Sequence, residues 1–163
     1  MKLVSFPAPT DSPMGSVLLS HGFGEHHRRY SQFIQALNDA DYDVWTFDFS
    51  GHGTAATKLG VVDVGALIVE HLEARRAMMP QLRSPRLFLF GHSMGGMVTL
   101  ASTLLSPAGL TGTAVTGPGL RPLPPMPLPL ARLGARIGRL PPGLKTITID
   151  NTKLSHDPDI PSP

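Results

Sequence analysis

The residues best placed to do chemistry in this chain centre on Ser93, within Leu87 to Gly96, LFLFGHSMGG. A serine hydroxyl is a poor nucleophile until a base takes its proton, and it must protrude to where a substrate carbonyl can reach it. A sharp turn from a strand into a helix supplies the protrusion, and it needs small residues two before and two after the serine, where Gly91 and Gly95 stand. Gly96 lets the following helix approach the sheet. His92 reads as support for the turn, pointing away from the serine, and not as its base. The apolar run Leu87 to Phe90 predicts the strand, and Met97 to Leu105 the helix. A second element, SHGFGEHHRRY, follows the apolar Val17 to Leu19. Acyl transfer passes through an oxyanion that two backbone amides must meet, one after the nucleophile and one in a loop after an earlier strand. Those amides would be Met94 and Phe23, with Gly22 and Gly24 letting the loop turn tightly. The plainer alternative is that His21-Gly22 only ends a strand.

HGFGEHHRRY, DFSGHGTA and GHSMGG, in this order and separation, resemble the monoglyceride lipase and lysophospholipase branch of the α/β-hydrolase superfamily, of serine aminopeptidase S33 type. The resemblance runs from about Val17 to the end of the chain. It implies a mostly parallel sheet flanked by helices, with Ser93 as the nucleophile of a carboxylic-ester hydrolase and the Phe23 and Met94 amides as its oxyanion hole. It further implies an acyl-enzyme, no cofactor, and a monoacylglycerol, lysophospholipid or similar acyl ester as substrate; esterases and peptidases of the same fold share these features. KLSHDPDI, Lys153 to Ile160, is similar to a stretch that closes the family's cap. Ser50 departs from the pattern, which usually has Arg there. Gly51, His52 and Gly53 read as shaping a turn, and Asp48, which precedes the serine, reads as structural.

In this fold the catalytic acid and histidine follow the serine in chain order. Beyond Ser93 the sequence offers only His156 and the acids Asp150, Asp157 and Asp159. Asp150 and His156 satisfy the order, but in a Pro-rich tail with no strand to position them they are weak triad candidates. The expectation is that the chain ends before the family's acid and histidine, with the last strands and helix absent and the strand near Thr113 left as an exposed edge. A second polypeptide completing the fold, or self-association, is then the expected partner. The competing reading is a noncatalytic fragment or pseudoenzyme that binds a lipid or partner through that edge.

The elements that must hold these motifs follow from hydrophobic spacing. Val17 to Leu19, Val44 to Phe47, Leu87 to Phe90 and, more weakly, Thr113 to Thr116 read as buried parallel strands, with Lys2 to Phe6 as one more. Helices are predicted over Arg29 to Asp39, with Phe33, Ile34 and Leu37 inward, and over Val62 to Met79, with Leu67, Ile68, His71 and Leu72 inward. Strands alternating with helices make this an α/β protein. Residues 1–117 form its core, and a cap occupies 118–163, where six prolines fall between Pro118 and Pro129. There Leu130, Leu133, Ile137 and Leu140 oppose Arg132, Arg136 and Arg139 on a short helix, which suits peripheral contact with a membrane. With 41% hydrophobic and 16% charged residues the chain reads as one soluble domain. Its charge of +2 comes without interleaved aromatics, which argues against nucleic acid. The absence of cysteine excludes disulfides and fits a cytoplasmic setting. The N-terminus carries no signal-peptide pattern and no apolar run approaches a membrane span. His26 and His27 lack a third metal ligand at helical spacing, so no metal is expected.

Overall fold

Five apolar segments pair into one sheet in the computed structural model, which describes residues 1–55 and 62–120. The chain divides into two units, Met1–Leu120 and Arg121–Pro163. The cap helix read over Leu130 to Leu140, and the triad candidates Asp150 and His156, lie outside the described residues. The strands are β1 (Val4–Phe6), β2 (Gly15–Ser20), β3 (Tyr42–Thr46), β4 (Leu87–His92) and β5 (Gly112–Thr116), in spatial order β1-β3-β2-β4-β5. All neighbours are parallel except β1, which runs antiparallel to β3.

Order and handedness together place the helices α1 (Ser31–Asp39), α2 (Val64–Met78) and α3 (Met94–Leu105). The crossover from β2 to β3 moves one way along the sheet, and those from β3 to β4 to β5 move the other. Since parallel crossovers are right-handed, α1 must cover one face and α2 and α3 the opposite one. The strand residues sort accordingly. Val17 stands beside Val44, and Leu19 beside Phe90, so that Leu19 and Val44 pack with Ile34 of α1. Leu18 stands beside Trp45 and Leu89, and these meet Leu67, Ala74 and Met78 of α2 and Val98 of α3. Burying each such large side chain stabilises the fold by about 1.5–3 kcal/mol.

Element boundaries shift from the sequence reading for local reasons. The α2 helix starts at Val64, because Asp63 caps it by accepting the amides of Gly65 (2.8 Å) and Ala66 (3.2 Å). It ends at Met78, where Pro80 enters a 3-10 turn over Met79–Gln81. Residues His27–Tyr30 form a 3-10 turn and not the first turn of α1. Helix α3 begins directly after Ser93, including Gly95 and Gly96 in spite of their low helix propensity. One expected core position is corrected, since Phe33 is 37% exposed on α1 while its ring lies tilted against Phe90. Strand β5 is parallel and stands at the edge of the described sheet with Thr113, Ala114 and Thr116 exposed, as the exposed-edge reading and not the buried-strand reading has it.

A buried polar knot joins α2 to α3. The Arg75 guanidinium donates to Ser102 O and Oγ, both at 3.0 Å, and to Ser106 O at 2.7 Å, while His71 Nδ1 bonds Ser102 Oγ at 2.8 Å. The cation sits where the partial negative charge of the C-terminus of α3 favours it and its last carbonyls need donors. Burial, with Arg75 alongside, lowers the His71 pKa to about 3. Arg75→Met keeps the side-chain stem but removes the donor to Ser106 O, while Ser102 O and Oγ keep Ser106 N–H and His71, and it should cost about 1–3 kcal/mol. A urea midpoint that falls while helix content is retained is the expected outcome, and an unchanged midpoint would contradict the role.

Candidate active site

Loops leaving the C-terminal ends of β2, β3 and β4 gather at one edge of the sheet, where open parallel sheets bind ligands. Ser93 is the single residue between β4 and α3, at φ 51° and ψ −115°. A non-glycine residue in that region carries strain of about 1–3 kcal/mol, and the surroundings must hold it there. They do so through the backbone. Ser93 N–H donates to Thr116 O (2.9 Å), and Ser93 O accepts from Met97 N–H (3.1 Å) and Gly119 N–H (3.4 Å).

The flanking glycines are required by close approach. A Cβ on Gly91 would lie 2.5 Å from Gly95 O and from Thr99 Oγ1. One on Gly95 would collide with the carbonyls of Ser20 and His21, and one on Gly96 would stand 3.1 Å from Gly91 O. The first turn of α3 therefore lies directly on the end of β2 and brings the loop that begins at His21 beside Met94. As the first residue of α3, Met94 has no carbonyl within the helix to receive its N–H. Among the described residues the Phe23 N–H has no hydrogen-bond acceptor either.

The loop carrying Phe23 is a turn over Gly22–Glu25, closed by Glu25 N–H to Gly22 O at 3.4 Å, with Gly24 at φ 73°. A positive φ at the third residue of such a turn favours glycine. Three side chains that the sequence reading left without a role hold this loop. His21 is fully buried; its Nδ1–H donates to Gly22 O (2.8 Å) and its Nε2 accepts from Phe49 N–H (3.1 Å). These partners set one neutral tautomer. Burial lowers the His21 pKa to about 4, with Gly22 O, Asp48 and Glu25 opposing and His52 assisting. Glu25 Oε2 accepts from Gly22 N–H (2.9 Å) and Tyr30 O–H (2.6 Å), and Glu25 Oε1 lies 3.8 Å from Arg29 Nε. Burial, then the bond to Glu25, raises the Tyr30 pKa above the usual phenol range, so the hydroxyl stays a donor.

His27, His52 and His92 are engaged elsewhere. His27 donates from its ring (2.7 Å) and its backbone (2.9 Å) to Asp48 Oδ1, which gives buried Asp48 its structural place. His52 Nδ1 bonds Ser50 O at 3.2 Å and the ring packs edge-on against Phe23. Burial lowers its pKa. His92 Nδ1 bonds Thr116 Oγ1 at 2.9 Å, and its ring borders Gly22. Among the described residues no side chain hydrogen-bonds the Ser93 hydroxyl and no group of side chains has the makings of a metal site. None of the helices among them is long and apolar enough to cross a membrane.

The chain is similar in sequence and fold to known proteins. Residues 11–160 match the family model described as serine aminopeptidase, S33. A monoacylglycerol lipase from Mycolicibacterium smegmatis is 29% identical over 160 residues, which are 93% of this chain and 55% of that protein. The monoglyceride lipase of Homo sapiens is 28% identical over 151 residues, 91% of this chain and 50% of that one. The crystal structure of a Paleococcus ferrophilus monoacylglycerol lipase superposes with a TM-score of 0.78 at 31% identity, covering 97% of this chain and 59% of that one. The chain thus spans about half the length of the curated relatives it matches.

The neutral histidines at the site and behind it make stability depend on pH. Below about pH 6.5 the unfolded chain protonates His21 and His71, whereas the folded chain resists until about pH 4 and about pH 3. Stability is therefore complete above pH 6.5 and declines as the pH falls toward 4, by at most about 1.4 kcal/mol per pH unit for each histidine. Urea midpoints at pH 7.5, 6 and 5 should fall in that order. A flat profile would mean that these imidazoles titrate normally in the folded protein.

Proposed function

Because the chain belongs to the serine aminopeptidase S33 family, we propose that it carries the nucleophile and oxyanion hole of a serine hydrolase that cleaves monoacylglycerol, lysophospholipid or similar acyl esters. The observation that carries this reading is Ser93, held at φ 51° on a strand-to-helix turn beside two backbone amides without acceptors among the described residues. Strain of this kind is kept only where surrounding contacts enforce it, and a protruding hydroxyl at the end of a parallel strand is the use it serves here. In the reaction Ser93 Oγ attacks the ester carbonyl as a base takes its proton. The Phe23 and Met94 N–H groups receive the negative charge on the former carbonyl oxygen. Collapse expels the alcohol with a proton returned from the base, leaving an acyl-enzyme that water then hydrolyses.

No described histidine hydrogen-bonds the Ser93 hydroxyl, and in this reading the base and its carboxylate come from outside the described residues. Asp150 and His156 are the alternative source within the chain. The lipid substrate is favoured over other acyl compounds by relatives named for monoacylglycerol. The apolar spacing of Leu130, Leu133, Ile137 and Leu140 in the sequence, outside the described residues, would suit an acyl chain or a membrane surface.

A fluorophosphonate tests the reading, because its phosphoryl oxygen takes the place of the oxyanion while Ser93 Oγ displaces fluoride. The protein as expressed from its gene should gain one adduct by intact mass, and Ser93→Ala none. It should also hydrolyse monoolein in preference to short p-nitrophenyl esters, with Ser93→Ala lower by about 10⁶ in turnover. Absence of an adduct would favour a noncatalytic binding protein, and preference for short esters would remove the lipid assignment.

A further inference from the structure

We propose that Glu25, assisted by Tyr30, is a positioning residue for the oxyanion hole: its carboxylate fixes the backbone of Gly22 and thereby aims the Phe23 N–H. This rests on the reading of Ser93 and Phe23 given above. The Phe23 N–H shares a planar trans peptide with Gly22 C=O, so the two point in opposite directions and one cannot turn without the other. Gly22 O is held by His21 Nδ1–H (2.8 Å) and, more weakly, by Glu25 N–H (3.4 Å). That alone leaves a hinge, because glycine permits rotation at the next peptide. Glu25 removes it by accepting Gly22 N–H at 2.9 Å, so the peptides on both sides of Gly22 are tied.

The side chain is itself immobilised. Oε2 also receives Tyr30 O–H at 2.6 Å, and Oε1 faces Arg29 at 3.8 Å. Gly22 is part of the same device, since a Cβ there would stand 2.8 Å from Glu25 Oε2. Glycine at 22 admits the carboxylate as well as permitting the turn. Charge-assisted bonds of this sort are about twice as strong as neutral ones. A donor aimed before the reaction stabilises charge that develops later without a reorganisation cost.

The test compares Glu25→Gln, Glu25→Ala, Tyr30→Phe and Ser93→Ala in the protein as expressed from its gene, separating the limiting rate of fluorophosphonate adduct formation from the initial binding constant. Loss of one oxyanion donor costs about 10²–10³. Glu25→Ala should approach the lower figure, Glu25→Gln should lose about 10-fold because one acceptor oxygen remains, and Tyr30→Phe should lose less, all with binding within about two-fold. Amide hydrogen exchange over His21 to Tyr30 should quicken in the same order. Should Glu25→Ala not fold, the Gln and Phe variants carry the comparison. Variants that label as fast as the parent would overturn the positioning role and leave the Ser93 reading intact. A change in binding with an unchanged limiting rate would also overturn it, by making Glu25 a ligand contact. A parent that forms no adduct at Ser93 would remove both.

Discussion

The contact on which the rest of this structure depends is that of the first turn of α3 against the backbone at the end of β2. At Gly95 nothing larger than hydrogen fits between the helix and the carbonyls of Ser20 and His21. The helix can approach so closely only if the turn before it is abrupt, and an abrupt turn forces Ser93 into its positive φ. It also requires β4 to lie beside β2, which the crossover from β3 past β2 achieves. Strand order, glycine spacing and the strained serine are consequences of one steric requirement.

Around this contact the fold uses ionisable side chains as fixed hydrogen-bond fittings. Asp48 ties His27, Glu25 ties Gly22 and Tyr30, and His21 spans the loops after β2 and β3. An imidazole suits that last task because, when neutral, it donates at one nitrogen and accepts at the other. Burial keeps it neutral, since the charged form would lose its hydration and its acceptor together. A histidine committed in this way is unfit to take a proton from serine. The chain is rich in histidine near the nucleophile and yet shows no base there among the described residues.

The strands and helices were legible because their apolar residues recur with periods near two and near 3.6, and the elbow because strand, glycines and serine are contiguous. Where the sequence reading erred, a local competitor decided. Asp63 claimed the start of α2, and the links from His27 to Asp48 and from Tyr30 to Glu25 accompany a tighter coil at the expected start of α1. Thr113 to Thr116 looked like a buried strand because its alternation is weak, and composition alone does not separate an edge from a centre. Glu25, Tyr30 and the role of His21 were hidden for a different reason. Each acts on backbone atoms, and which backbone atoms a side chain meets depends on the path of the folded loop.

That path also joins the elbow to the edge of the described sheet. Ser93 N–H and His92 Nδ1 both bond to Thr116, one to its carbonyl and one to its hydroxyl, and Gly119 N–H returns to Ser93 O. The nucleophile is thus braced on one side by α3 and β2, deep in the packing, and on the other by the last residues of an exposed strand. Edge strands open more readily than central ones, because their outer backbone groups already exchange with water. A local opening of β5 would remove the acceptor for Ser93 N–H and release the strain at that residue. The geometry of Ser93 is therefore coupled to the order of β5, through Thr116 and without any contact to the serine hydroxyl.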